Sequence, residues 1–209
     1  MAAKAFLFDY GGVFTASPFR AIDELGVKIG AAPGQAVEII FGPYASDTDH
    51  PWHRLERGEI SLQEAREAIL ALGQKVDLET DVFQFFSAMS TGAGVREEFV
   101  DLVREIRAAG HKTGMITNNV LEFREHWEKT LPLGELFDVV IDSSAVGVRK
   151  PDPAIFTLTM EHLGVQAEHS VFIDDFEGNI DAAQRLGLQG VLVEEDFAPS
   201  IAETRRLLG

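Results

Sequence analysis

Five short apolar runs, each ending on a polar residue, restrict what this chain can fold into more than any other feature. Ala5 to Phe8 ends at Asp9, Thr113 to Ile116 at Thr117, Phe137 to Ile141 at Asp142, Val171 to Ile173 at Asp174, and Gly190 to Val193 at Glu194. Continuous apolar runs of this length, bounded by turn residues such as the Gly11-Gly12 pair, read as strands buried on both faces. Helical patterns separate the last four. Val95, Phe99, Leu102, Val103 and Ile106 make an apolar stripe that stops at Gly110. Asp152 and Pro153 supply an N-cap and a first-turn proline for a second helix, whose face runs through Ile155, Phe156, Thr159 and Leu163 to Gly164. Ile180, Ala183 and Leu186 form a shorter face ending at Gly187. Strands alternating with crossover helices predict an α/β fold, a parallel sheet covered by helices on both sides.

The alternation is interrupted once. The span from about Ser17 to Ser90 is too long for one crossover and has no strand pattern, so it is expected to be a mainly helical insertion. Ser61 and Glu64 match a capping box, with Ile60 and Ala65 placed as a staple ahead of Ile69 and Leu72. A second helical patch holds Val82, Phe85, Phe86 and Met89, while Gly42 to His53 reads as an irregular link.

Composition excludes several functions. Eighteen Lys plus Arg against 34 Asp plus Glu give a net charge of -16, which repels nucleic acid and anionic membrane surfaces. There is no cysteine, hence no disulfide, no thiolate nucleophile and no cysteine-held zinc or iron–sulfur site. No stretch reaches the roughly 18 apolar residues of a membrane span, and the first apolar run is cut short by Asp9, against a signal peptide. A soluble, cytoplasmic protein is expected.

Asp9, Asp142, Asp174 and Asp175 all fall at predicted carboxyl ends of strands, where open parallel sheets place their ligand crevice. Each alone reads equally as a turn or helix cap. If Asp9 and Asp174 lie on neighbouring strands, their repulsion calls for a cation or a shared proton, and magnesium is the natural cation because it suits oxygen ligands and substrate phosphate. Lys150, in GVRKPDPAIF, is either a loop lysine or an ammonium held near those strand ends, and Arg149 a surface group or its assistant. Thr117, Asn118 and Asn119 offer a hydroxyl, amides and turn N–H groups to an oxyanion.

Four segments, FLFDYGGVF, MITNN, RKPDPAIF and VFIDDFEGNIDAAQRLG, occur in an order and spacing that resembles the haloacid dehalogenase superfamily of aspartate-nucleophile hydrolases. The resemblance spans nearly the whole chain and implies a three-layer, Rossmann-like core with sheet order 5-4-1-2-3. The core would comprise residues 1–16 and 91–209, and residues 17–90 an α-helical cap. By position Asp9 corresponds to the nucleophile, Thr117 to the phosphate-binding hydroxyl and Lys150 to the basic group that steadies both. Asp174, supported by Asp175, the Asp9 carboxylate and the Gly11 carbonyl, would hold Mg2+. Gly11, Gly12 and Asn118 join Thr117 and Lys150 around the phosphate, and Asn179 has a positioning role. The implied reaction is attack by Asp9 on a phosphomonoester, an aspartyl-phosphate, and its hydrolysis, with a small phosphorylated metabolite as substrate; a monomer and a homodimer are both compatible with the sequence.

One departure is chemical. The family's phosphatases carry a second Asp two residues after the nucleophile as the acid/base, and this chain has Gly11, which cannot exchange a proton. Alkyl phosphates should suffer most, aryl and acyl phosphates least. Asp47, Asp49, His50 and His53 are candidate replacements, and Tyr10 and Phe14 candidate entrance residues. The GGV form also resembles the phosphatase-like N-terminal domain of epoxide hydrolases. Two alternatives stand beside the phosphatase: a metal-independent 2-haloacid dehalogenase, for which only Arg20 and Arg54 offer a distant arginine, and a noncatalytic binding module.

Overall fold

Strand pleating sorts side chains to opposite faces, and the sheet follows that rule strictly. The computed structural model describes residues 3–89 and 94–208. Five parallel strands, β1 (Ala5–Phe8), β2 (Lys112–Thr117), β3 (Val139–Asp142), β4 (Ser170–Asp174) and β5 (Gln189–Leu192), lie in the order β3-β2-β1-β4-β5. This is the expected order read from the other edge. Phe6 and Phe8 of β1 and Val171 and Ile173 of β4 face one apolar layer; Ala5, Leu7 and Phe172 face the other. β3 starts at Val139 rather than Phe137, because Phe137 closes a short helix.

Between β1 and the next core helix the described chain forms five helices and no strand: α1 (Pro18–Lys28), α2 (Gln35–Phe41), α3 (Pro51–Glu56), α4 (Leu62–Gln74) and α5 (Val82–Met89). They make an inserted helical cap around an apolar centre that includes Ile22, Ile40, Leu55, Ile69 and Phe85. The capping box forms at α4: the Glu64 amide donates to Ser61 Oγ, and the Ser61 amide to the Glu64 carboxylate. The irregular link expected from Gly42 to His53 is shorter than read. His50 caps α3, accepting from the Trp52 amide, and Pro51 occupies its first turn. The expected end of the insertion, Ser90, and the side chain of Met89 lie outside the described residues.

The core resumes with α6 (Glu97–Ala108); α7 (Arg124–Trp127) and α8 (Leu133–Leu136) follow β2, and α9 (Ser143–Val146) and α10 (Pro153–Leu163) follow β3. α11 (Glu177–Arg185) joins β4 to β5, and α12 (Ala198–Leu208) comes last in the described chain. α6 and α12 cover the Phe6/Phe8 side, α10 and α11 the Leu7 side. Among the described residues no helix is long and apolar enough to cross a membrane.

Arg149 is not the surface group that its position in the sequence allowed. Its side chain is fully buried, extends from the core loop into the cap, and its Nε donates to Glu56 of α3 at 2.6 Å. The guanidinium lies over the Tyr44 ring, 4.6 Å from its centroid, and also donates to the Ser46 carbonyl. Breaking a buried pair from one side strands a charge in the interior. Arg149→Met is therefore expected to lose about 3–5 kcal/mol in urea denaturation. Adding Glu56→Met should return most of that loss; a double variant as weak as the single one would show that the pair is not what joins cap to core.

Candidate active site

Parallel register carries the first step. Phe8 of β1 pairs with Ile173 of β4, so the next residues along, Asp9 and Asp174, emerge side by side at the carboxyl edge. The Asp9 amide donates to the Ile173 carbonyl at 2.9 Å and fixes that register one residue further. Asp175 turns toward the same point. One oxygen from each of Asp9, Asp174 and Asp175 lies within 4.8 Å of the others.

A single ammonium stands among them. Lys150 is completely buried, with Nζ 2.8 Å from Asp9 Oδ1 and 2.7 Å from Asp174 Oδ2. Asn118 explains how a loop lysine comes to be there: its Oδ1 accepts from the Lys150 amide at 2.8 Å and its Nδ2 donates to the Lys150 carbonyl at 3.0 Å. The Asn118 side chain thus clamps the Lys150 backbone, while the residue also lines the cavity beside Asp9. Asn179 donates to both oxygens of Asp174, at 3.2 and 3.1 Å, the positioning role anticipated for it. The Phe176 amide donates to Asp174 Oδ1, and the Tyr10 amide to Asp9 Oδ1.

Three carboxyls against one lysine leave the cluster short of positive charge, and the raised pKa values of Asp9 and Asp175 reflect it. Burial raises Asp9 well above the usual carboxylate range; Lys150 opposes this, while Asp174 and Asp175 add to it. Asp175 is pushed up to about 7, by burial first and Asp174 second, against a hydrogen bond with Ser17. Burial pulls Lys150 down, but Asp174 and Asp9 outweigh it and hold its proton more tightly than usual. An all-oxygen donor set that resists full ionisation fits a hard divalent cation.

Beside Asp9 opens a cavity of about 220 Å³ whose lining includes Gly11, Thr117, Asn118, Asn119 and Asp175. Thr117, at the end of β2, is buried at its edge. Gly12 lies aside: it faces the Asp175 carboxylate and lines a separate cleft with Arg20 and Arg96. Asp142 is not part of the cluster. Its Oδ1 accepts from the Ser144 amide and hydroxyl, capping α9. The proposed replacement acids are also held elsewhere. His53 Nδ1 accepts from the Thr48 amide, and burial, Arg149 and His50 together push its pKa down to about 3. Asp47 pairs with Arg57, Asp49 is exposed, and neither histidine lines the cavity. Arg20 is bonded to Glu24 and Glu195, and Arg54 to Glu59. Tyr10 lines the cavity whereas Phe14 is core. Sequence reading missed the buried Glu56, whose Oε1 accepts from Trp52 Nε1 at 2.8 Å and from the Tyr44 hydroxyl at 3.0 Å. The i,i+4 spacing of Trp52 and Glu56 on one helix was its only trace.

A family model described as haloacid dehalogenase-like hydrolase matches residues 3–187. The chain belongs to this family. Among similar proteins, mouse acyl-CoA dehydrogenase family member 10 is 29% identical over 99% of this HAD-like hydrolase and 19% of its own length. Mouse bifunctional epoxide hydrolase 2 is 24% identical over 100% of the chain and 39% of its own length, so the chain spans well under half of either relative. A sesquiterpene phosphatase of Aspergillus oryzae is 28% identical over 99% of the chain and 97% of its own length. A HAD family enzyme of Bacteroides thetaiotaomicron, solved with magnesium and inorganic phosphate, superimposes with a TM-score of 0.65 at 22% identity, covering 94% of this chain and 98% of that one; this match bears on the fold.

The raised carboxyls set the sign of a pH effect. Asp175 keeps its proton to about pH 7 when folded and only to the ordinary aspartate value of 3.8 when unfolded, so the cation-free HAD-like hydrolase loses stability as pH rises across that interval. A cation that binds the ionised cluster reverses the loss. The rise in melting temperature on adding MgCl2 is therefore expected to be larger at about pH 8 than at about pH 6, read by calorimetry; the opposite order would contradict the assignment. Gly12 has φ +74°, and a Cβ there would meet the Asp175 carboxylate at 2.0 Å. Gly12→Ala should cost about 1–3 kcal/mol and shrink the magnesium-dependent shift, because Asp175 is displaced.

Proposed function

We propose that this HAD-like hydrolase is a magnesium-dependent phosphomonoester phosphatase acting on a small phosphorylated metabolite. The observation that carries the reading is the buried Lys150 Nζ bridging Asp174 and Asp9, the latter lining the cavity. We assign Asp9 as nucleophile, Lys150 and Thr117 as the groups that stabilise the transferring phosphoryl, and Gly11 and Gly12 as turn residues presenting backbone to it. Asp9, Asp174, Asp175 and the Gly11 carbonyl would hold Mg2+. When bound, the ion supplies positive charge that offsets repulsion between the carboxylates and the incoming phosphate. We place the cap at residues 17–90 and the core at 1–16 and 91–209. Within the family we place the chain with the helical-cap branch that includes the epoxide hydrolase phosphatase-like domain, which the epoxide hydrolase and sesquiterpene phosphatase matches support.

In the first step an Asp9 oxygen attacks phosphorus and the ester P–O bond breaks, its electron pair leaving with the departing oxygen. Lys150, already protonated and anchored through Asn118, needs no rearrangement to meet the developing charge. Water then attacks the phosphorus of the aspartyl-phosphate and frees the Asp9 carboxylate. No side chain at position 11 protonates the leaving oxygen, so substrates with stable leaving oxyanions are favoured. The 2-haloacid dehalogenase reading is weaker: among the described residues lining the cavity there is no Arg, Lys or His to hold a haloacid carboxylate.

Phosphate release from aryl or acyl phosphates should require added magnesium and fall to background in Asp9→Asn. The missing acid can be restored directly. A Cβ at Gly11 meets nothing within 4 Å, and the residue lines the cavity, so an Asp there has room. Gly11→Asp is expected to raise alkyl phosphate turnover by roughly 100-fold to 10,000-fold, the usual worth of acid–base assistance. Unchanged turnover in a folded, magnesium-binding variant would reject the missing-acid account.

A further inference from the structure

The cavity beside Asp9 is walled by an unbroken arc of aromatic rings. From Phe176 at the start of α11 the contacts run through Phe19, Phe41, Trp52 and Phe86 to Phe123, with successive ring centroids 5.4, 5.1, 4.9, 5.6 and 5.0 Å apart. The two ends belong to the core and the four central rings between them to the cap. All six line the cavity. Interlocked rings that brace one another form a wall that does not have to be ordered when a ligand arrives.

Several polar groups beside that wall are already engaged, while Asn179 Oδ1, at the carboxylate end of the cavity, is without a hydrogen-bond partner. Glu56 is satisfied by Arg149, Trp52 and Tyr44. Asn118 is spent on the Lys150 backbone, and Asn119 Oδ1 accepts from the Val120 amide. No cation lines the cavity among the described residues, and its ionisable members, Asp9, Glu56 and Asp175, are acids. A second phosphate or a carboxylate on the substrate would enter without a partner, and a polyhydroxylated one would lose water without regaining its hydrogen bonds. The size is also restrictive. A cavity of about 150 Å³ accommodates benzene, so a chamber of about 220 Å³ holds a group of one or two rings.

We propose that the chamber takes the leaving group of an aryl phosphate monoester: uncharged, aromatic, one or two rings across. This rests on the phosphatase reading and narrows it. Gly11 supplies an independent constraint, since it removes the acid that an alkoxide needs. On attack by Asp9 the P–O bond to the aryl oxygen breaks and the electron pair leaves as a phenolate, which takes its proton from solvent water. The aromatic arc binds the ring in both ester and phenolate. It therefore acts as a specificity wall rather than as a catalyst.

The test is a set of kcat/KM values for the wild-type protein with magnesium, using acetyl, phenyl, 1-naphthyl, 3-carboxyphenyl and benzyl phosphates and glycerol 3-phosphate. The expected order places 1-naphthyl at least about tenfold above phenyl, and 3-carboxyphenyl about tenfold below it, each step equivalent to the loss or gain of one good apolar contact. Benzyl phosphate, apolar but with an alkoxide leaving group, and glycerol 3-phosphate should lie about 100-fold or more below phenyl. Acetyl phosphate needs no chamber. If even it is not hydrolysed, the phosphatase reading falls; if it is hydrolysed while the aryl series is flat or inverted, the chamber assignment alone falls. Benzyl phosphate equal to phenyl would also overturn the aryl assignment. As a second reading, Phe123→Ala should lower the ratio of 1-naphthyl to acetyl phosphate kcat/KM about tenfold; an unchanged ratio would count against the arc as the binding wall.

Discussion

Three carboxyls gathered at one sheet edge around a single buried ammonium are the constraint on which the rest of this structure depends. Asp9, Asp174 and Asp175 would drive one another apart or take up protons if nothing compensated them, and Asp9 and Asp175 do hold protons unusually well. Lys150 answers part of that charge, touching Asp9 and Asp174 within 2.8 Å. Its own burial is tolerable only because both contacts are short and paired. The loop that carries it is then pinned twice. Asn118 grips its backbone from β2, and the neighbouring Arg149 extends into the cap to meet Glu56. Core edge, Lys150 and cap thus form one electrostatic chain from Asp174 to α3.

That chain explains why the cap sits where it does. Glu56 and Tyr44 belong to the cap, yet their charge and hydroxyl are satisfied by Arg149 and Asn118 of the core. The cap's remaining inward surface is aromatic, and Phe176 and Phe123 of the core complete it. Polar atoms at the junction are used to fix the cap, and what remains facing the cavity is ring surface. The attachment of the cap and the aromatic character of the cavity arise from the same division of side chains.

The core was legible because its signals are local and redundant. Each strand is an apolar run closed by a polar residue, and the helices carry caps such as Asp152 with Pro153 and Gly164 with φ +63°. The four segments that resemble the family include Asp9, Thr117, Lys150 and Asp174, and parallel register then brings Asp9 and Asp174 together. What escaped is nonlocal. Arg149 reads as a surface residue because nothing near it in sequence says that Glu56, 93 positions earlier, lies 2.6 Å away. Asn118 reads as an oxyanion ligand because a turn after a strand offers that role by default, and only the fold shows its amide turned to Lys150. The replacement acids failed for a related reason. His50 and His53 lie in a stretch that reads as a loop, whereas they cap and fill α3.

Gly11 and the aromatic arc gain meaning when taken together. An aromatic wall without free hydrogen-bonding groups is poorly suited to deliver a proton, because an acid placed against it would be desolvated and its conjugate base unstabilised. Restoring an Asp at position 11 would give alkyl substrates a proton donor, but it would also set a fourth carboxyl beside a cluster that already lacks positive charge. Under the proposed phosphatase reading, the absent acid lowers that electrostatic cost and shifts the demand to the substrate, whose leaving oxygen would have to be stable as an anion. An aromatic ring meets both conditions: delocalisation lowers the basicity of its oxygen, and its faces match the walls that the cap provides. In the proposed aryl phosphatase, selection by leaving-group stability and selection by apolar contact would therefore act on the same ring, so discrimination against alkyl and polar phosphates would need no further charged group in the site.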